Sequence, residues 1–196
     1  MDIQTDSISD VVRQRPDTGL SAGQALAKRT FDLVMSLLGL VVFGWIILLA
    51  YLLATIDTRQ SGFFRQERVG RNGRLFHVIK IRTMRSAGYP HTNVTTASDP
   101  RITRLGRFLR KYKIDELPQL FNVLLGQRSL GGPRPDVPGF ADGLQGEERI
   151  ILSVRPGITG PATLAFRHEE SLLVQVDHTE QYNRNVIYPE NERLNQ

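Results

Sequence analysis

The chain contains no cysteine, which excludes a disulfide framework and thiolate chemistry and fits a reducing compartment. It lacks a Walker-type glycine loop and a dinucleotide fingerprint, so neither an ordinary ATPase nor a dehydrogenase has support. Histidine is scarce, and His77 and His91 have no metal-like spacing to other ligands, which argues against zinc. No internal repeat or low-complexity tract divides the 196 residues, a length suited to one domain with an appendage. The most telling absence is local: from Leu33 to Ile56 there is no charged residue. A helix over that run reaches ~36 Å at ~1.5 Å per residue, enough for the core of a bilayer.

What is present in excess is positive charge. The formal net charge of +5 points to an anionic partner, whether a phosphate-bearing substrate, anionic lipid or nucleic acid. Residues 1–27 read as a flexible polar tail, broken by Pro16 and Gly19, and residues 28–58 as the membrane-inserted helix. Lys28 and Arg29 precede the apolar run, while Arg59, Arg65, Arg68, Arg71 and Arg74 follow it, so the positive-inside tendency draws both ends to the cytoplasm. A straight crossing satisfies one end only. A segment that enters and turns back satisfies both, with Gly39 and Gly44 as the candidates for a bend. On these residues alone both topologies stay open.

After the apolar run, Phe64 to Gly70 and Leu75 to Arg82 predict two short strands joined by a turn at Asn72-Gly73. Alternation puts Phe76, Val78, Lys80 and Arg82 on one face, where two bases would suit a diphosphate; exposed arginines on an edge strand are the plainer reading. Tyr89 to Ser98 reads as a loop. Asp99-Pro100 then opens a basic amphipathic helix with an apolar stripe of Ile102, Leu105, Phe108, Leu109 and Tyr112. Such a helix fits a membrane interface, or else a nucleic-acid groove; the neighbouring apolar run favours lipid.

The centre of the chain is Lys113-Ile114-Asp115-Glu116-Leu117-Pro118-Gln119-Leu120, an adjacent carboxylate pair placed by Pro118 at the start of a helix. The helix dipole and nearby Arg107, Arg110, Lys111 and Lys113 predict that both carboxylates are ionised, as a nucleophile or a cation ligand requires. A helix start that is merely acidic is the alternative. Downstream, Gly131-Gly132-Pro133-Arg134-Pro135 and Arg155-Pro156-Gly157 each hold an arginine in a proline-stiffened turn, an arrangement suited to bidentate phosphate recognition.

Together these motifs resemble the bacterial sugar transferases, specifically the monotopic phosphoglycosyl transferases. The resemblance runs from about residue 28 to residue 165. It is carried by Lys28-Arg29-x-Phe31-Asp32, Phe64-x-Gln66-x-Arg68-x-Gly70-x-x-Gly73, Lys80-Ile81-Arg82-Thr83-Met84, Asp99-x-Arg101-Ile102-Thr103-Arg104, Asp115-Glu116-Leu117-Pro118-Gln119-Leu120 and both arginine turns. It implies an α/β, mainly α, monotopic membrane protein: a re-entrant N-terminal helix, interfacial amphipathic helices, and a small cytoplasmic domain with short strands over residues 59–196. It implies transfer of a sugar-1-phosphate from a UDP-sugar to polyprenyl (undecaprenyl) phosphate with Mg2+, at the cytoplasmic face of the bacterial inner membrane, starting the assembly of a glycoconjugate. Asp115 would be the nucleophile, forming a phosphosugar-aspartyl intermediate and releasing UMP, and Glu116, with Asp115, would hold the metal. Lys80, Arg110, Arg134 with its flanking Pro133 and Pro135, and Arg155 would contact phosphate or nucleotide. The expected partners are the sugar donor, the lipid acceptor and membrane lipid, without nucleic acid; the oligomeric state is left open, a homo-oligomer included.

Three features depart from the family pattern. The usual Ser-Pro break in the membrane helix is replaced by Gly44-Trp45, and an aspartate and a methionine before the Gly-Pro-Arg-Pro turn are replaced by Gln127 and Arg128. The chain also stops near Leu194, where many relatives continue. Gln127, Arg128 and the short C-terminus motivate one rival reading, a catalytically impaired membrane-bound scaffold that still binds lipid or nucleotide.

Overall fold

The computed structural model describes residues 21–85, 99–135, 151–161 and 165. The loop expected over Tyr89–Ser98 and most of the C-terminal region lie outside them, as does the polar tail up to residue 20. Helix α1, Ala22–Thr58, is followed by an antiparallel pair, β1 (Phe63–Val69) and β2 (Leu75–Ile81), joined through a 3-10 turn at Arg71–Gly73. Asn72 adopts φ 59° there, a left-handed conformation that asparagine tolerates. Helix α2 (Arg104–Lys111), a 3-10 turn (Ile114–Glu116) and helix α3 (Gln119–Leu124) come next. A parallel pair, β3 (Ser129–Gly131) with β4 (Gly157–Thr159), completes the described architecture. The fold is mixed α/β and mainly helical, as expected.

Helix α1 begins earlier than position 28, because Ser21 and Gln24 form a reciprocal capping box over its first turn. It runs 37 residues through Gly39 and Gly44 without interruption, so the segment does not divide into two helices at either glycine. Its buried residues, Asp32, Ser36, Ile47, Ala50, Ala54 and Thr58, recur at helical spacing and form one stripe that docks on the rest of the molecule. The contacts extend over nearly the whole helix. Near the start, Arg29 donates to the carbonyls of Val123 at 2.8 Å and Leu124 at 3.1 Å. Asp32 accepts from Ser129 Oγ at 2.8 Å and from the Leu130 amide at 3.1 Å, and Lys28 donates to the Gly131 carbonyl at 3.1 Å. Midway, Gly39 lies against Leu120. Towards the end, Ile47, Ala50 and Ala54 form the core with Ile81 and Leu109, flanked by Phe63, Leu105, Ile114 and Leu117, and Arg85 donates to the Asp57 carbonyl at 3.0 Å. The opposite side leaves Leu37, Leu38, Val41, Val42, Trp45, Leu48 and Leu49 exposed, an apolar surface that water does not favour. By length and composition this helix is able to cross a membrane.

Helix α2 is shorter than the predicted amphipathic helix, starting at Arg104 with Thr103 as its cap, whose Oγ1 accepts from the Gly106 amide at 2.8 Å. Asp99 instead pairs with Arg101. The predicted stripe also divides. Ile102 and Leu109 are buried, while Phe108 and Tyr112 are exposed, with ring centroids 4.8 Å apart. Gly106 permits the close docking of α2, since a Cβ there would meet the Thr83 carbonyl oxygen at 2.1 Å.

Candidate active site

Asp115 and Glu116 occupy the 3-10 turn before α3, with Pro118 as the helix cap; the pair therefore precedes the helix instead of opening it. Lys113, in the left-handed conformation at φ 56°, reverses the chain out of α2 and turns the two carboxylates towards β2. Asn122 fixes the same junction from α3: its Oδ1 accepts from the Ile79 amide at 3.0 Å, and its Nδ2 donates to the His77 carbonyl at 2.7 Å. Because His77 and Ile79 bracket Val78 and Ile79 adjoins Lys80, this contact sets where Lys80 stands. Lys80 shares the face of Phe76 and Val78, as alternation predicts, and its Nζ lies 3.9 Å from Glu116 Oε1. Lys113 Nζ approaches the same oxygen at 3.7 Å. Arg82 does not join Lys80. It donates to the Ser61 and Phe63 carbonyls and lies over the Phe64 ring.

Asp115 is only 7% exposed, and its Oδ1 is buried without a hydrogen-bond partner among the described residues. Burial, reinforced by the neighbouring Glu116 charge, pushes its carboxyl up to about 6 against the opposing pull of Lys80, Arg110 and Lys113. This corrects the expectation that dipole and arginines alone would govern Asp115: desolvation outweighs them. Burial also pushes Glu116 upward, but Lys80, Lys113, Arg128 and Arg134 together hold it below its ordinary value. Lys80 is drawn down by burial, despite Glu116 and Asp115. The two adjacent carboxyls thus shift in opposite directions, a division that marks functional sites.

Of the proposed phosphate contacts, Lys80, Arg110 and Arg134 converge electrostatically on the carboxylate pair. Arg110 is oriented by Thr83, whose Oγ1 accepts from its Nε at 2.9 Å. Pro133 and Pro135 do brace the Arg134 turn, since the Pro133 carbonyl accepts from the Gly157 amide at 2.8 Å and that of Pro135 from Arg68 at 3.4 Å. Arg155 stands apart. Its Nε donates to the Gly126 carbonyl at 2.8 Å, beyond the end of α3, and its charged neighbours are Arg29, Arg71 and Asp32, not Asp115 or Glu116. The two arginine turns are a single interlocked unit: Gly132 donates to Thr159, and Ser129 to Pro156. Glycine is required at the crossing, because a Cβ on Gly157 would meet the Gly132 amide nitrogen at 2.2 Å. In this unit Arg134 acts electrostatically on Glu116, while Arg155 bonds the Gly126 carbonyl away from the carboxylates.

Sequence reasoning passed over Arg68, Gln119 and Arg128 as site residues. Arg68 influences both Lys80 and Arg128. Gln119 is almost fully buried and donates to Glu116 Oε2 at 3.2 Å. Only the position of Gln119 three residues after Glu116, on the same side of a helical turn, was available as a signal. Gln127 keeps an acceptor where the family pattern has aspartate: its Oε1 takes a hydrogen bond from Asn122 at 2.6 Å.

Among the described residues no three acidic, histidine or cysteine side chains gather as a metal cage. The donor set nevertheless fits Mg2+, which takes one or two carboxylates and completes its shell with substrate phosphate and water; the partnerless Asp115 Oδ1 beside the ionised Glu116 meets that requirement. With Lys80, Lys113, Arg68, Arg110, Arg128 and Arg134 around two carboxylates, the site carries an excess of positive charge suited to a polyanion.

Fold and site together define a domain docked along one long apolar helix, with a buried carboxylate among clustered cations. The chain matches the bacterial sugar transferase family over residues 23–194, and it belongs to that family. It is 42% identical over 162 residues to the undecaprenyl-phosphate glucose phosphotransferase of Komagataeibacter xylinus, covering 79% of this chain and 30% of that protein. It is 33% identical over 176 residues to the exopolysaccharide production protein ExoY of Rhizobium meliloti, covering 82% and 78%. It is 33% identical over 168 residues to the UDP-N-acetylgalactosamine-undecaprenyl-phosphate N-acetylgalactosaminephosphotransferase of Aeromonas hydrophila, covering 82% and 40%. The chain therefore spans less than half of two of these relatives.

Proposed function

We propose that this chain transfers a sugar-1-phosphate from a UDP-sugar to undecaprenyl phosphate, the first step in building a membrane-linked glycan. The carrying observation is the buried Asp115 oxygen, without a hydrogen-bond partner among the described residues, in a cation-rich site. An Asp115 carboxylate oxygen attacks the sugar-proximal phosphorus, the bond to UMP breaks, and UMP leaves with the electron pair. The acceptor's phosphate oxygen then attacks the aspartyl phosphate and returns Asp115 as a carboxylate. Lys80, Arg110 and Arg134 neutralise the diphosphate and hold it in line. Glu116 with Asp115 would hold Mg2+, which when bound would supply further neutralisation of the charge on the leaving group.

The chain acts from one side of the bilayer in this reading, at the cytoplasmic face of the inner membrane. Support comes from α1, whose two ends are both tied to the same domain, through Arg29 and Asp32 at one end and Asp57 at the other. A crossing helix would carry these polar contacts, docked along its length from Arg29 to Asp57, through the acyl layer. The exposed apolar side of α1 then faces acyl chains, with Phe108 and Tyr112 at the headgroup boundary.

The test is UMP release from a panel of UDP-sugars by detergent-purified protein with Mg2+ and undecaprenyl phosphate. Release is expected for at least one donor, dependent on Mg2+ and lost in Asp115→Asn. A folded, membrane-bound protein that releases UMP from no donor would refute the reading and favour a binding scaffold.

A further inference from the structure

Arg128 lies beneath the site, 4% exposed, between α3 and β4. Its Nη1 donates to Gln119 Oε1 and its Nη2 to the Gly157 carbonyl, while its Nε is buried with no partner among the described residues. A guanidinium in such a place carries a large desolvation cost, which draws it down to about 10 and still leaves it charged at neutral pH. Packing alone does not require that cost, since an aliphatic side chain would fill the same space without it.

The partner explains what the charge does. Gln119 has one amide oxygen and one amide nitrogen, and its two orientations differ only in which of them faces Glu116. The guanidinium holds the oxygen, so the nitrogen must face Glu116 Oε2, 3.2 Å away. We propose that Arg128 is a positioning residue that, by orienting the Gln119 amide, fixes the carboxylate of Glu116 in the geometry the reaction uses. The Gly157 carbonyl steadies the other arm of the guanidinium and ties this line of contacts to the Arg134 turn. Without Arg128 the amide is free to flip and present its oxygen to Glu116, two acceptors facing one another.

The catalytic consequence rests on the transferase reading; the contact line itself does not. Two cycles test them separately. In the first, kcat and donor KM are measured for wild type, Arg128→Met, Gln119→Leu and the double variant, with a UDP-sugar that wild type accepts. Each single variant is expected to lose about tenfold in kcat, the scale of one hydrogen bond to a charged group, with KM within about twofold. The double variant is expected to lose no more than the worse single variant. Multiplied losses, an unchanged kcat, or a loss confined to KM would overturn the proposal.

In the second cycle, thermal unfolding in detergent compares Arg128→Met, Glu116→Gln and their combination, with Gln119 present and replaced by Leu. The combined loss in Tm is expected to fall short of the sum by about 3 °C, and that shortfall to shrink by more than half without Gln119. A shortfall that persists unchanged would mean that Arg128 acts on Glu116 by charge alone, and the proposal would fail. Should wild type release UMP from no donor, the transferase reading falls, and the melting cycle still decides whether Arg128 positions Glu116.

Discussion

Asp115 is kept in a setting that opposes its own charge. A carboxyl whose folded value is raised to about 6 favours folding only while it is protonated in the native state, so the penalty grows between about pH 4 and pH 6 and is full above that range. The cost at neutral pH is on the order of 3 kcal/mol. Asp115→Asn, measured without divalent cations, is therefore expected to melt about 8 °C above wild type at pH 8, with the gap narrowing as pH falls through about 6 and closing near pH 4. A variant that is inactive yet no more stable at pH 8 would contradict this account. The two turn arginines make a second contrast. Arg134→Gln is expected to raise donor KM about tenfold or more with little change in Tm, whereas Arg155→Gln lowers Tm and leaves KM within about twofold. Steady-state kinetics alongside melting curves separates the two. The sequence displayed both arginines in similar proline-bounded turns and contained no local sign of which would face the carboxylates. That difference arises from how β3 and β4 pair, a contact between residues 29 positions apart.

The strand-turn-strand unit was the most legible element, because alternation and the Asn72-Gly73 turn are local properties that the fold had no reason to override. The start of α2 was less so: Asp99-Pro100 looked like a helix opening, but Asp99 is taken by Arg101 and Thr103 supplies the cap. The carboxylate pair was legible as chemistry. Its surroundings were not, since the burial of Asp115 comes from α1, β2 and α2 packing around one short turn. The fastening of α1 to β3 is likewise non-local. Asp32 is 3% exposed and accepts from both Ser129 and Leu130, so Asp32→Ala leaves the half-buried Leu130 amide without its acceptor and removes the carboxylate paired with Lys28. A loss of about 2–4 kcal/mol follows, seen as a fall in Tm of roughly 5–10 °C. A fall of less than about 2 °C would show that α1 is held by its apolar stripe alone.

The molecule has no native cysteine, which makes its topology directly measurable. Single substitutions Ala22→Cys and Arg59→Cys place a thiol at an exposed position at each end of α1. With a membrane-impermeant maleimide applied to intact cells, neither thiol is expected to react, and both are expected to react after lysis. Labelling of one end from outside would establish a crossing helix and refute the one-sided arrangement.

Because α1 contributes Ile47, Ala50 and Ala54 to the core it shares with Ile81 and Leu109, the helix proposed as the anchor is also a keel. Clipping it off would not liberate a soluble catalytic fragment; it would open the hull. A water-soluble version would have to be reached by repainting instead of cutting. Leu37, Leu38, Val41, Val42, Leu48 and Leu49 could be exchanged for polar residues, while the docking stripe from Asp32 to Thr58 stayed as it is.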